Sequence, residues 1–192
     1  MKKIILASAS PQRKNLMKHL GGPFTVMRSE AEELSSITTN VADLVRDNAL
    51  LKAIDIADKV KYPALIIGAD TVVYARNRLI LKPRDLREAR KNLKLLMAEP
   101  HWVYTGVAIV DTVNKSVLVE HDKTKVFMEN LTDAEIIRYH RAVPPMDKAG
   151  GFDIEGKGSL FIPRIEGCYF NVVGLPIARL VRMLRRFGIN VL

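Results

Sequence analysis

The order of elements along this chain predicts an α/β fold built on a mixed sheet, and three observations carry the expectation. β-rich apolar runs alternate with helix-period segments, two runs in the second half stand close enough to form a hairpin, and no repeat or Pro/Gly-rich linker divides the chain. With 192 residues and 48% hydrophobic content, the chain is long enough to bury a sizeable core, and one domain over residues 1–192 is expected.

Residues 3–7 read as a short strand, after which Ser10-Pro11 supplies an N-cap and a first-turn proline for a helix reaching about Leu20. A strand follows over 24–27. Asn40, with Asp43 three residues on, opens a helix to about Val60. The run 64–74 is the most apolar strand, yet it holds Asp70 near its middle. A turn at Arg76-Asn77 comes next, then a helix over 84–97, then strands over 101–111 and 116–128 joined at 112–115 as an antiparallel pair. Thr132 and Glu135 form a capping box for a helix through Arg141, which Pro144-Pro145 ends. Residues 147–158 are a Gly-rich charged loop with room for one short strand. A last helix from Pro176 to Gly188 carries Ile177, Leu180, Val181 and Leu184 on one face and Arg179, Arg182, Arg185 and Arg186 on the other.

Thirty Lys plus Arg against twenty-one Asp plus Glu leave a net charge of +9, which favours a polyanionic partner: nucleotide phosphates, nucleic acid or an acidic membrane surface. The single cysteine, Cys168, excludes an intrachain disulfide and a Cys-rich zinc site and fits a reducing compartment, so a cytoplasmic location is expected. Residues 1–9 imitate a secretion signal, but their apolar core is shorter than the roughly 7 residues such a signal needs, and no run of roughly 18 apolar residues follows. A membrane is therefore not an expected partner. The four histidines show no metal-binding spacing.

A carboxylate inside an apolar strand costs several kcal/mol unless cations, hydrogen bonds or a metal compensate, so Asp70 reads as a working group that needs counter-charges. Several segments can supply them. The turn 7–14 places Ser8, Ser10, Gln12 and Arg13 where a strand enters a helix, which suits a phosphate cradle and equally an ordinary capped helix. On the helix from Asn40, Val41, Val45, Asn48 and Lys52 share one stripe, so Lys52 points with the apolar face and either snorkels outward or reaches a carboxylate or phosphate. Lys82 is an exposed loop cation or one that returns to the same cleft. Glu30, Glu32 and Glu33 form a solvated acidic patch or a site for Mg²⁺ or Mn²⁺. The stretch 147–156 combines charge and glycines as a binding loop or a plain surface turn would.

Taken together, Ser8-Ala9-Ser10-Pro11-Gln12-Arg13, Glu32-Glu33, Lys52, Gly68-Ala69-Asp70-Thr71-Val72-Val73, Lys82-Pro83, Thr105-Gly106, Asp147-Lys148-Ala149-Gly150-Gly151 and Val172-Val173-Gly174-Leu175-Pro176 resemble the Maf family of nucleotide pyrophosphatases, whose other name is septum formation protein. The resemblance runs from residue 3 to about 187. It implies an elongated mixed sheet flanked by helices, similar to the inosine triphosphate pyrophosphatase fold, with a cleft between two lobes and frequent homodimers. It also implies hydrolysis of a nucleoside triphosphate to the monophosphate and pyrophosphate with a divalent cation, Mg²⁺ or Mn²⁺. By the same resemblance Asp70 takes the general-base position and Glu33 an acidic metal-linked one. Ser8, Arg13, Lys52 and Lys82 line the phosphate cleft, with Glu33 and Asp70 as metal ligands.

Family members similar to dTTP and UTP pyrophosphatases read Ser-Pro-Arg-Arg, Asp-Thr and Tyr-Gly-Ile-Gln; at the corresponding positions this chain has Thr71, in agreement, but Gln12 and Glu155. The branch acting on 7-methyl-GTP has Gln after its aspartate and a Ser-Glu pair in the late loop. Thr71 and the loop with Lys148 thus favour the pyrimidine branch, while Glu155 resembles the other. An acid in place of an amide removes donors to a base carbonyl. A non-catalytic nucleotide- or nucleic-acid-binding regulator of cell division is the rival reading. It needs the cations but not Glu33 and Asp70, which repel a polyanion unless a metal intervenes. For that reason nucleic acid is not the expected partner.

Overall fold

A computed structural model describes residues 2–37 and 39–191. In chain order the elements are β1 (Lys3–Ala7), α1 (Pro11–Met17), β2 (Thr25–Met27), α2 (Val41–Lys59), β3 (Ala64–Ala75), β4 (Arg78–Ile80), α3 (Leu86–Ala98), β5 (His101–Asp111), β6 (Val117–Phe127), α4 (Asp133–Ala142), β7 (Arg164–Glu166), α5 (Tyr169–Val173) and α6 (Ile177–Arg186). Among the described residues seven strands make one sheet, in the order β2-β1-β3-β5-β6-β7, with β4 paired to β3 beside that path. β1 runs parallel to both β2 and β3, whereas β3–β4 and β6–β7 are antiparallel, so the expected α/β class with a mixed sheet is the one observed.

The chain divides into two compact units, each assembled from separate segments. The first comprises Met1–Asp70, Thr105–Asp122 and Gly174–Leu192. Its core joins Ile5 and Ala7 of β1, Ala64 and Ile66 of β3 and Ala108 and Val110 of β5 to Ala49, Ala53, Ile56 and Ala57 of α2. The alanines are there for distance. A Cβ on Gly68 would lie 2.0 Å from the Ala49 carbonyl oxygen, and one on Gly106 would lie 2.0 Å from that of Val45. Glycine in β3 and β5 therefore lets the α2 backbone rest directly on the sheet. Asn40 caps α2 by accepting the Asp43 N–H at 2.9 Å. In the β5–β6 connection the Asp111 N–H donates to the Ser116 carbonyl at 3.0 Å, as the expected hairpin requires.

α6 buries Leu180, Met183 and Leu184, so Met183 belongs to the apolar face on which the sequence reading placed Ile177 and Val181, both only half-buried. Arg182, Arg185 and Arg186 are exposed as expected. Arg179 departs from the solvated arginine face, because it pairs with Glu120 at 2.6 Å and Asp122 at 3.4 Å on β6.

The second unit comprises Thr71–Tyr104 and Lys123–Val173. Val73 and Ala75 of β3, Leu93, Leu96 and Met97 of α3, Ile136 and Tyr139 of α4 and Phe152, Ile154 and Phe161 of the following loop form its core. The loop departs from expectation. Residues 149–151 and 156–160 are 3-10 turns rather than a strand, since Gly150, Gly151 and Gly156 take positive φ, and the short strand lies later, at β7. β4 and α5 were not foreseen, because each is too short for a hydrophobic period to register.

Candidate active site

Successive side chains alternate across a strand, so Gly68 and Asp70 lie on the same face of β3. Because Ala49 and Ala53 of α2 rest on Gly68, the residues next to them on the helix, Asn48 and Lys52, meet Asp70. Lys52 Nζ donates to Asp70 Oδ1 at 2.7 Å and Asn48 Nδ2 donates to Asp70 Oδ2 at 3.1 Å. Lys52 thus reaches inward and does not snorkel. The same ammonium meets Glu33 Oε1 at 2.9 Å, so one buried cation bridges the two acids that the sequence reading paired.

The acidic run before α2 is divided between two tasks. Glu30 turns to Lys59 at 3.1 Å, its N–H donating to Asp55 at 2.8 Å, while Glu33 alone joins the Asp70 group and Glu32 is exposed. Asn48 fixes the chain at that point. Its Oδ1 accepts the Leu34 N–H at 2.7 Å and its Nδ2 also donates to the Leu34 carbonyl at 3.0 Å.

Asp70 is only 5% exposed, and burial alone pushes its carboxyl up. The charges of Lys52 and Arg13 and the hydrogen bonds from Lys52 and Asn48 outweigh that penalty, leaving it below the ordinary carboxylate value and ionised at neutral pH. Arg13 is pulled the other way. Burial lowers it while Asp70 and Glu33 raise it, and an arginine so placed keeps its charge.

At the mouth of α1 the capping geometry is present: Ser10 Oγ accepts the Arg13 N–H at 3.3 Å, and the Ser10 N–H donates to Ser8 Oγ at 3.2 Å. Arg13 Nη1 donates to the buried Ser8 hydroxyl at 3.3 Å, and its Nε donates to the Gly174 carbonyl at 2.8 Å. The Val-Val-Gly-Leu-Pro segment before α6 therefore orients Arg13. Gln12 is turned toward its own cap, its Oε1 accepting from Ser10 Oγ at 3.0 Å.

The family model for Maf-like proteins matches residues 3–187. The chain belongs to the Maf family. A relative from Pelotomaculum thermopropionicum, named dTTP/UTP pyrophosphatase, is 45% identical over 192 residues, and the match covers all of both chains. One from Alkaliphilus oremlandii with the same name is 46% identical over 193 residues, again across the whole of both. Among solved structures, that of the Staphylococcus aureus Ham1 protein aligns with 97% of this chain and 100% of its own, with a TM-score of 0.56 at 16% identity. That likeness concerns the fold alone, and it agrees with the α/β class expected.

Within this Maf chain, Ser8, Ser10, Gln12, Arg13, Glu33, Lys52 and Asp70 all fall in the first unit, whereas Thr71, Lys82, Lys148 and Glu155 fall in the second. Thr71 follows Asp70 on β3 and so points to the other face. Lys82 and Glu155 are exposed. Lys148 closes its own loop by donating to the Pro144 carbonyl at 3.0 Å and to Asp147 at 2.7 Å. Leu81 accepts the Gly150 N–H at 3.4 Å, which joins the Lys82-Pro83 segment to the Gly-rich loop. Asn48 is the residue the sequence reading passed over. Its signal was a polar side chain on the apolar stripe of α2, beside Lys52.

Proposed function

We propose that this protein hydrolyses nucleoside triphosphates at the α–β phosphoanhydride, releasing the monophosphate and pyrophosphate, with dTTP and UTP preferred. One observation carries the chemistry: a buried, ionised Asp70 held by Lys52, Arg13 and Asn48 within reach of Glu33. A binding module would have no use for two acids directed at a polyanion. The names of the full-length relatives support the pyrimidine substrates, as does Thr71.

In this reading Asp70 takes a proton from a water molecule as the water oxygen bonds to the α phosphorus. The bond from that phosphorus to the α–β bridging oxygen breaks, and its electron pair leaves with pyrophosphate. Arg13 and Lys52 supply fixed positive charge for the phosphates in a desolvated setting, where such charge needs no rearrangement as the reaction proceeds. Lys82 keeps the phosphate-binding role that the family resemblance gives it, and Ser8 and Ser10 hold the turn that aims Arg13. Lys148 and the Gly-rich loop, with Gln12, Thr71 and Glu155, are assigned to recognition of the nucleotide.

Among the described residues no group of three His, Cys, Asp or Glu side chains forms a metal cage. Glu33 and Asp70 nonetheless suit Mg²⁺ or Mn²⁺, since such ions take one or two protein carboxylates and complete their shell with phosphate and water. Bound by Glu33 and Asp70, the ion would neutralise triphosphate charge. A nucleotide substrate and the lone cysteine agree with a cytoplasmic enzyme, and a homodimer belongs to the same reading. Among the described residues no helix is long and apolar enough to cross a membrane.

The test is pyrophosphate release from dTTP, UTP, the remaining common triphosphates and 7-methyl-GTP with Mg²⁺ or Mn²⁺. Fastest turnover of dTTP and UTP is expected. Preference for 7-methyl-GTP would reassign the branch through Glu155, and absence of turnover with every member would overturn the enzymatic reading.

A further inference from the structure

Asn48 is 2% exposed and uses its whole amide. A primary amide offers two N–H donors and one carbonyl acceptor. Here one donor goes to Asp70 Oδ2 at 3.1 Å, the other to the Leu34 carbonyl at 3.0 Å, and the carbonyl accepts the Leu34 N–H at 2.7 Å. Leu34 is thereby gripped through both of its peptide groups, as a neighbouring strand would grip it. The residue just before Leu34 is Glu33, whose carboxylate meets Lys52 at 2.9 Å. One side chain therefore ties the loop that carries one acid to the strand that carries the other.

A clamp on the loop needs only the two bonds to Leu34. The third bond goes to the Asp70 oxygen that Lys52 leaves open, since Lys52 meets Oδ1. With one donor on each oxygen, rotation of the carboxylate is arrested. We propose that Asn48 is a positioning residue for the reaction, fixing both the orientation of Asp70 and the placement of Glu33 relative to it. The inference rests on the reading of Asp70 and Glu33 as the working acids. Leucine at this position matches the shape and has no donor. Aspartate keeps an acceptor for the Leu34 N–H but turns oxygen toward Asp70 and toward the Leu34 carbonyl.

The two substitutions separate clamp from positioning. Asn48→Asp should keep the Leu34 amide protected from hydrogen exchange yet lower kcat for dTTP by about 10–100-fold, with KM for the triphosphate within about twofold. Asn48→Leu should lose both the protection and the rate. Mn²⁺ affinity of the protein without nucleotide, read by calorimetry, should weaken by about 10-fold in Asn48→Leu, which adds no charge. Thermal melting of each variant confirms that it is folded, and Asn48→Ser serves where a variant is not. Full activity in Asn48→Asp would overturn the inference and reduce Asn48 to a loop clamp, as would unchanged Mn²⁺ affinity in Asn48→Leu or a loss expressed only in KM. If the unmodified protein turns over no triphosphate, the proposed function fails by itself. The Mn²⁺ measurement then decides the role of Asn48, unchanged affinity overturning it.

Discussion

A buried aspartate in one unit and a half-buried one in the other meet the same penalty with opposite results. Burial is the largest influence on both Asp70 and Asp153, and it pushes each carboxyl up. At Asp70 the charges of Lys52 and Arg13 and two side-chain hydrogen bonds reverse the sign. At Asp153 the charge of Lys148, the Gly158 N–H and the Tyr139 hydroxyl do not, and the carboxyl stays above its ordinary value. The rest of each unit follows suit. The first keeps buried charge by pairing it, and the second keeps its buried titratable groups neutral, with burial lowering His101 and His140 and raising Tyr139. Ionised groups that are held in place suit reaction with a polyanion, whereas neutral ones suit a packed support for a loop.

Removing the charge of Asp70 is the largest perturbation of that contrast. Asp70→Asn should lower kcat for dTTP by about 10²–10⁴-fold, the usual worth of a positioned acid or base, while nucleotide binding by calorimetry and thermal stability stay close to the parent. Survival of most of the activity would remove Asp70 from its role. Lys52→Met strikes the other partner and strands a carboxylate in the core, so it should cost about 3–5 kcal/mol in urea unfolding. The double variant Lys52→Met/Asp70→Asn should recover much of that loss, because the stranded carboxylate is gone. If the two losses simply add, the pairing at 2.7 Å contributes little to stability.

The first unit was the more legible in the sequence. The Ser10 and Asn40 caps, the long α2 and the acid in an apolar strand are all local signals, and each appears where read. Lys52 was placed on the apolar face by period alone, but its choice between solvent and Asp70 depended on Gly68 and Gly106 bringing α2 onto the sheet, which no local pattern reveals. Asn48 lay on the same stripe and was missed because its partners are 14 and 22 positions away. In the second unit the Gly-rich stretch was read as a loop, but its 3-10 turns follow from positive φ at Gly150, Gly151 and Gly156 and from packing of Phe152 and Ile154 into the core. Those are tertiary facts.

In the second unit the neutral arrangement should show in its pH response. His101 donates Nδ1–H to the Leu96 carbonyl at 3.2 Å and packs edge-on against Phe152, and burial lowers its pKa to about 4. An exposed histidine in the unfolded chain titrates near 6.5, so between that value and about 4 the unfolded state binds more protons and stability falls with falling pH. The contribution is on the order of 3 kcal/mol, present in full above about pH 6.5 and lost as the pH drops through that window. His140 acts in the same direction. Urea unfolding from pH 7 to pH 4 should therefore be steeper in pH for the parent than for His101→Phe. An identical slope would mean that burial leaves the titration of His101 unshifted in the folded protein.

The smallest expected effect comes from Tyr139→Phe. The hydroxyl accepts the Asp153 N–H at 3.0 Å and donates to Asp153 Oδ1 at 3.4 Å, while the ring packs edge-on against Phe161 at a centroid distance of 4.9 Å. Phenylalanine keeps the ring contact and removes only the two hydrogen bonds. The cost should be about 1 kcal/mol, toward 3 kcal/mol if the Asp153 N–H finds no other acceptor. Because the tyrosine hydroxyl favours the ionised form of Asp153, its loss should raise that carboxyl further, which carbon NMR of the side chain would read directly. Such a rise with an unchanged kcat would leave Asp153 outside the reaction. A fall in kcat matching that of the Asp70 variant would instead make Asp153 a participant in the reaction.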